Sequence, residues 1–359
     1  MTKAARRKRG GAGQLLIPLI AIALLVIFNL IRDPSFFSIE IKTNNTGNTV
    51  LAGNLVSIIN GASELAILAM GMTLVTAACG GQDISVGAAA AIAGSVFVRI
   101  IRGAAPVTGG TVILAFLACC LVAMLFGAFN GMLVAIFRIQ PMIATLILFS
   151  CGRSIAYWIV GSATPQIDSP IINSMGMTIP GIPIPTPIFG VVLVGLILTL
   201  IFRLTTLRLY TESVGVNQGA ARLNGINPVG IKMLSFVILG ICVAVAGIIG
   251  TCRMGQVSHK TLLIDIEMDA ILAVAIGGNN LGGGRFKISG SILGAYIIQM
   301  LTTTLLAMRV DPVNIKAYKA IVIIIIVMAG SPVVKQKLTA LWHRIRSGGL
   351  KPASAKGVN

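Results

Sequence analysis

Long apolar runs recur along the whole of this sequence, and they leave few folds open to it. Hydrophobic residues make up 56% of the 359 residues and charged residues 11%, whereas soluble domains carry about a quarter charged residues. A run of about 20 apolar residues is long enough to cross a bilayer as a helix. The sequence therefore predicts an all-α polytopic membrane protein, and its high hydrophobicity excludes a disordered chain.

Ten apolar segments predict about ten transmembrane helices. They cover residues 15–31, 54–79, 86–101, 108–137, 141–160, 187–204, 231–251, 269–282, 288–308 and 317–330. Basic residues precede the first segment and follow the last, as the positive-inside rule expects of cytoplasmic ends. We therefore expect a single membrane domain at 15–335 between basic cytoplasmic tails at 1–14 and 336–359. The net charge of +18 lies largely in such flanks, and no nucleic-acid-binding motif accompanies it.

Three connecting segments are long. Residues 32–53 are polar and predicted to be external, and residues 161–186 contain five prolines, which predict an irregular external loop. Residues 205–230 are the one sizeable internal loop of this topology. Within it Ala220–Leu223 favours a short helix that Gly225 and Pro228 end.

Glycine interrupts the apolar pattern at two places, GGQDISVG at 80–87 and GGNNLGGG at 277–284. Broken helices at membrane depth line transport pathways, because unwound backbone there must face a cavity or be buried in protein. Small residues also allow close packing of helices without any pathway. Both interpretations stay open from the residues alone.

Two carboxylates fall inside the apolar pattern. A lone carboxylate in the bilayer is costly and marks a pathway or a proton site by default. Asp83 could instead cap the helix that starts near Val86, together with Ser85. Glu64 could instead pair with an arginine or an amide of a neighbouring helix.

Several motifs are missing from the sequence. With His259 and His343 as its two histidines, the chain offers no multi-histidine metal centre, and no phosphate-binding G-x-x-x-x-G-K-[ST] loop occurs. G-x-S-x-G is absent as well. We therefore expect no enzyme, no metal and no cofactor on this chain, and any ATP would bind a partner.

Three motifs together resemble a known family. GMTLVTAACGGQDISVGAAAAIAGSV (71–96), ESVGVNQGAARLNGIN (212–227) and MDAILAVAIGGNNLGGGRFKISGSILGA (268–295) look like segments of bacterial ABC sugar-importer permeases of the ribose/xylose/galactose type. NGMLVAIFRIQPMIATL (130–146) also fits, and the galactofuranose-transporting members are the most similar. The resemblance covers 15–335. Gln82 departs from the family's isoleucine, and Glu267-Met268 departs from its Glu-Leu.

The resemblance implies a ten-helix, type II-like ABC importer permease in the bacterial inner membrane. A periplasmic or lipid-anchored sugar-binding protein would deliver galactofuranose, galactose, ribose, xylose or arabinose, and a separate ATPase would bind ATP. A second permease subunit, identical or not, would complete the pore.

The resemblance also assigns residues to three roles. Residues of the translocation path would be Gly80, Gly81, Asp83, Ser85 and Gly87, with Glu64 as a further candidate. Residues coupling the permease to the ATPase would be Glu212, Ala220, Ala221, Arg222, Gly225 and Asn227. Residues packing beside the pore would be Gly277, Gly278, Gly283 and Gly284.

Two other classes remain as alternatives. An ion-coupled secondary transporter would use Glu64 or Asp83 as its proton site and would work without an ATPase. A structural membrane scaffold would transport nothing, and Arg222→Glu would leave it unaffected.

Overall fold

A computed structural model describes residues 3–43, 49–104, 106–161, 164–167 and 169–330 of the chain. The helices are α1 (Lys3–Arg32), α2 (Asn54–Gly61), α3 (Ser63–Cys79), α4 (Val86–Gly103), α5 (Gly109–Ala135), α6 (Pro141–Val160), α7 (Pro170–Gly176), α8 (Thr186–Leu204), α9 (Leu207–Val216), α10 (Gln218–Leu223), α11 (Pro228–Met254), α12 (Ile266–Ile276), α13 (Ile288–Ala307) and α14 (Pro312–Gly330). The predicted tail at 336–359 lies outside the described residues, and α1 already begins within the predicted tail at 1–14.

Within the described ranges, seven helical segments are long and apolar enough to cross a membrane. They are Asn54–Cys79, Val86–Gly103, Gly109–Ala135, Pro141–Val160, Thr186–Leu204, Pro228–Met254 and Ile288–Ala307. The chain is therefore a mostly helical, multi-pass membrane protein. α12 has 11 residues, too few to cross alone.

The connections contain more structure than their sequences indicate. The polar segment 32–53 includes a two-stranded antiparallel hairpin of β1 (Glu40–Thr43) and β2 (Thr49–Ala52), which corrects the all-α prediction. The proline-rich loop includes α7, whose first residue is Pro170, a position where proline costs no hydrogen bond. The internal loop holds two helices, α9 and α10, where one was expected.

α3 lies at the centre of the fold. Every residue from Ser63 to Ala78 is buried, and its neighbours include α8, α9, α11, α12 and α13. A helix that is apolar all round is stable only where protein surrounds it or lipid covers it. α5, α6 and α8 lie at the periphery instead, and their exposed leucines and isoleucines suit contact with lipid or another subunit.

Glycines allow α11 to pack tightly against its neighbours. A β-carbon placed on Gly240 would overlap the backbone carbonyl of Ala123 on α5, and one placed on Gly127 would overlap the carbonyl of Phe236. Apolar side chains gain little from association inside lipid, so close packing of small residues is what holds such helices together.

We expect Gly240→Ala to destabilise the protein by about 1 to 3 kcal/mol, the usual cost of an overpacked core. Gly195→Ala on α8 is the matched control, because its β-carbon would make an ordinary contact 3.6 Å from the sulfur of Met70. The midpoint of thermal unfolding in detergent measures both. Equal midpoints for the two variants would contradict this packing.

Candidate functional site: a junction of two broken helices and a loop helix

The two glycine-rich breaks lie directly against each other. The Nε2 of Gln82 in the first break donates a hydrogen bond of 3.1 Å to the carbonyl of Leu281 in the second. A β-carbon on Gly80 would lie 2.8 Å from the carbonyl oxygen of Gly282. Gln82, which departs from the family pattern, is thus one of the residues that join the breaks.

Left-handed backbone makes glycine necessary at this contact. Gly80 ends α3 with φ 64°, and Gly283 and Gly284 have φ 91° and 95°. Residues other than glycine rarely adopt such positive φ angles. Gly278 has φ 78° in the turn after α12. Gly283 also lies within 3.2 Å of the backbone of Ala77, Gly215 and Gly80, measured from an ideal β-carbon. That Gly277, Gly278, Gly283 and Gly284 pack beside a pore stays a prediction.

α9 joins the same contact through Gly215. A β-carbon on Gly215 would overlap the carbonyl of Ala77 near the end of α3, and that carbonyl accepts a 2.9 Å hydrogen bond from the Gly284 N–H. We call the set Ala77, Gly80, Gly215, Gly283 and Gly284 the glycine junction. Sequence reasoning missed Gly215, although it lies inside the motif that carries the resemblance.

The other glycines of the predicted sets lie elsewhere. Gly81 packs against the ring of Pro141 at the start of α6. Gly87 lies under the Glu267 carboxylate, and Gly277 lies against the backbone of Gly290 on α13. Each position leaves no room for a β-carbon, so all are packing positions in the described structure.

Asp83 is buried in a small polar cluster next to the first break. Its Oδ1 accepts hydrogen bonds from the N–H and Oγ of Ser85, at 2.7 and 2.6 Å, and its Oδ2 accepts one from Asn130 on α5, at 3.2 Å. The Asn130 Nδ2 also donates to the Ser85 Oγ. Asn130 was not singled out from the sequence, because an amide inside an apolar run gives no periodic signal.

Asp83 does not cap α4 as that alternative expected. Its bond goes to the N–H of Ser85, which precedes the helix, and among the described residues no side chain caps the first turn of α4. With 4% of its surface exposed, the Asp83 side chain is enclosed in this conformation and does not line an open path.

Glu64 belongs to a different cluster. It lies at the start of α3, sixteen residues before Gly80, which is about 24 Å along a helix. Its Oε2 is 3.2 Å from the Nη2 of Arg253 on α11, and that nitrogen also donates to the backbone and side-chain oxygens of Asn60. The expected pairing of Glu64 with an arginine of a neighbouring helix is therefore confirmed, and Glu64 does not join Asp83 in one site.

The predicted coupling residues have several structural roles. Glu212 pairs with Arg208 one turn earlier on α9, at 3.1 Å. Gly225 ends α10 with φ 78°, and Asn227 caps α11 by accepting from the N–H groups of Val229 and Gly230. Gly225 and Asn227 thus fix the backbone conformation of the segment between α10 and α11.

A groove runs along α9 and α10. It has a volume of about 440 Å³ and is lined by Leu209, Glu212, Ser213, Val216, Asn217, Ala220, Ala221, Asn224, Ile226 and Arg285. Ala220 and Ala221 lie in this α9–α10 groove, whereas Arg222 lines a second pocket on the other side of α10. Leu223, at the end of α10, is 91% exposed.

Comparison with known proteins shows which family the chain belongs to. Residues 54–330 match a protein family that is described as "branched-chain amino acid transport system / permease component". The chain belongs to this permease family.

Individual relatives are permeases named for sugars. The chain is 36% identical to the galactofuranose transporter permease protein YtfT of Escherichia coli (strain K12), with 92% of each chain covered. It is 34% identical to the fructose import permease protein FruF of Bifidobacterium longum (strain NCC 2705), covering 95% of this chain and 93% of the relative. It is 32% identical to the ribose import permease protein RbsC of Escherichia coli (strain K12), covering 86% and 91%. No solved structure matches the chain.

The contact between Glu64 and Arg253 should contribute to the thermal stability of the protein. Glu64 is buried and Arg253 is partly exposed, so removal of the arginine leaves a buried carboxylate without its partner. Breaking a fully buried pair costs about 3 to 5 kcal/mol, which is the upper limit here. We expect Arg253→Met to lower the midpoint of thermal unfolding markedly, and Glu64→Gln to lower it less, because Arg253 keeps its bonds to Asn60.

The double variant Glu64→Gln/Arg253→Met is the control for this pair. It leaves no buried charge, so its midpoint should lie above that of Arg253→Met alone. A double variant no more stable than Arg253→Met would show that the ion pair does not couple the two residues.

Proposed function

We propose that this chain is the membrane-spanning permease subunit of an ATP-driven importer of monosaccharides in a bacterial inner membrane. It works with a separate ATPase, an external sugar-binding protein and a second permease subunit, and both of its termini face the cytoplasm. The sugar class follows from the relatives, whose names specify galactofuranose, fructose and ribose. The family resemblance adds galactose, xylose and arabinose to the candidates.

The contact between α9 and the glycine junction carries this proposal. Gly215 touches the Ala77 carbonyl, which in turn accepts a hydrogen bond from Gly284. One helix of the loop therefore contacts both the last turn of α3, which leads into the first break, and the second break. A movement of α9 cannot leave either break unchanged, because no side chain lies between the backbones to absorb it. The contact thus offers a short mechanical route from the loop to the membrane interior.

The exposed side of the loop supports docking of an ATPase. Leu209, Val216 and Leu223 are 62%, 71% and 91% exposed on α9 and α10, although the loop lies outside the apolar segments. Exposed apolar patches next to a groove are typical of protein interaction sites. A partner that fits the α9–α10 groove would cover these side chains and move the glycine junction.

Opening and closing of the two breaks would alternate access to the path. In the described conformation Asp83, Ser85 and Asn130 are hydrogen-bonded to one another and buried. Separation of the breaks would expose these polar groups, which can bind sugar hydroxyls. The described conformation encloses these groups, so the external binding protein would provide most of the affinity.

The test is transport by the purified chain in proteoliposomes, with its cognate ATPase and binding protein. We expect uptake of one of the named monosaccharides to require ATP and to continue after a protonophore collapses the proton gradient. Branched-chain amino acids serve as the comparison substrates, because the family description names them. Transport by the chain alone without ATP, abolished by Glu64→Gln, would replace this proposal with a proton-coupled transporter.

Gly215→Ala tests the route through the junction. The added methyl group overlaps the Ala77 carbonyl, so we expect sugar uptake to fall at least tenfold while ATP hydrolysis by the partner persists. Gly230→Ala is the control, since its β-carbon would make ordinary contacts at 3.5 Å or more with the side chain of Asn227. Equal uptake by both variants would exclude the junction as a coupling route.

Leu223→Ser tests the docking surface separately. Leu223 is almost fully exposed, so the substitution should not affect folding, but co-purification of the ATPase should decrease. Leu204→Ser, at a 75% exposed leucine on α8, is the matched control. Unchanged co-purification in Leu223→Ser would show that the ATPase binds elsewhere, and a scaffold would show no ATPase at all.

A further inference from the structure

A second pocket adjoins α10 on the side away from the groove. Its volume is about 490 Å³, and it lies between the segment that joins α5 to α6, α10 and the start of α11. Three basic residues, Arg138, Arg222 and Lys232, line it. We call it the basic pocket.

Among the described residues, none that lines this pocket carries a negative charge. None of its thirteen lining residues is acidic. Asp83 and Glu212 are close in sequence to lining residues but interact with other groups. Glu212 pairs with Arg208, and Asp83 accepts hydrogen bonds from Ser85 and Asn130. Three positive charges around one cavity repel one another unless an anion enters.

Lys232 makes the strongest case for such an anion. Only 9% of its surface is exposed, and within the described part of the chain its amine forms no ion pair. Buried charges in proteins are as a rule paired, because desolvation without compensation is expensive. Lys232 is one of the residues that line the cavity, so an anion bound there would supply the missing partner.

Two long helices also begin at the pocket. α6 starts at Pro141 and α11 at Pro228, and both prolines line the cavity. The N-terminus of a helix carries a partial positive charge and favours anions, phosphate groups in particular. Among the described residues no side chain caps the start of α6, so this end is open to a ligand.

The surface beside the pocket indicates the source of the anion. Phe137 follows the lining residue Ile136 and is 62% exposed, and Met142 and Ile143 on α6 are 41% and 56% exposed. These side chains belong to the apolar periphery of the bundle. A phosphate in the basic pocket would therefore lie next to a surface that suits acyl chains.

We propose that the basic pocket binds a phosphate group, and that the headgroup of an anionic phospholipid supplies it. Lys232 and Arg138 bind the phosphate oxygens, and the acyl chains lie along the exposed start of α6. Basic pockets between membrane helices are suited to anionic headgroups on electrostatic grounds. Because Arg222 lies on α10, an occupied pocket also fixes the position of the loop.

Native mass spectrometry of the full-length chain in detergent tests the proposal. The probes are phosphatidylglycerol, diacylglycerol with the same acyl chains, and inorganic phosphate. We expect phosphatidylglycerol to bind and diacylglycerol not to bind. Lys232→Met should weaken phosphatidylglycerol binding roughly ten- to a hundredfold, the size expected for a lost hydrogen bond to a charged group.

Arg138→Gln and Arg203→Gln complete the design. Arg138 is exposed and lies outside the helices, so Arg138→Gln tests binding in the basic pocket even if Lys232→Met does not remain monodisperse. We expect Arg138→Gln to weaken phosphatidylglycerol binding as well. Arg203 is an exposed arginine of α8 outside the pocket, and Arg203→Gln should bind like the wild type. Binding of inorganic phosphate that displaces the lipid and requires Lys232 would keep the phosphate site and assign it to a soluble ligand.

Four outcomes would overturn the proposal. Equal retention of diacylglycerol and phosphatidylglycerol would show that acyl chains alone determine binding. Unchanged binding in both Lys232→Met and Arg138→Gln would place the lipid elsewhere, and an equal loss in Arg203→Gln would indicate general surface charge. Binding of neither phosphate nor phosphatidylglycerol would leave a carboxylate of a partner protein as the counter-charge.

Discussion

The fold depends on one hydrogen bond that crosses between distant parts of the sequence, from the Gly284 N–H to the Ala77 carbonyl. The last carbonyls of any helix lack partners within that helix, and water is scarce inside a membrane protein. α3 ends against the second broken segment, and the Gly284 N–H there supplies the partner for the Ala77 carbonyl. The glycines around the bond follow from it, because only backbone without side chains allows three segments to approach so closely.

Hydropathy predicted the helical framework well. Each of the ten apolar segments lies wholly or mostly on a helix, because apolar runs of this length have no alternative in a bilayer. The number of helices that cross the membrane could not be predicted from hydropathy as well. Seven helical segments of the described chain are long and apolar enough to cross, and α12 is too short. The hairpin and α7 were missed because their residues carry turn signals and no apolar period.

The site could be predicted in part. The motifs located both breaks and the loop, but not their contact, because Gln82 and Leu281 are joined across 199 residues and a single sequence contains no distance information. Gly215 and Asn130 were missed for the same reason, as their importance lies in partners far along the chain. Of the two carboxylates singled out from the sequence, the pairing of Glu64 was foreseen as an alternative, whereas the capping by Asp83 was wrong.

The pairing of Glu64 with Arg253 also has a consequence for biosynthesis. α3 is made early, and its arginine partner follows about 190 residues later. At typical synthesis rates of roughly 5 to 20 residues per second, the interval is on the order of 10 to 40 seconds. During that time the nascent helix presents an acid on a largely apolar surface, without the partner that later pairs with that acid. The cell's insertion machinery must therefore shelter α3, or hold it at the membrane edge, until the second half of the chain arrives.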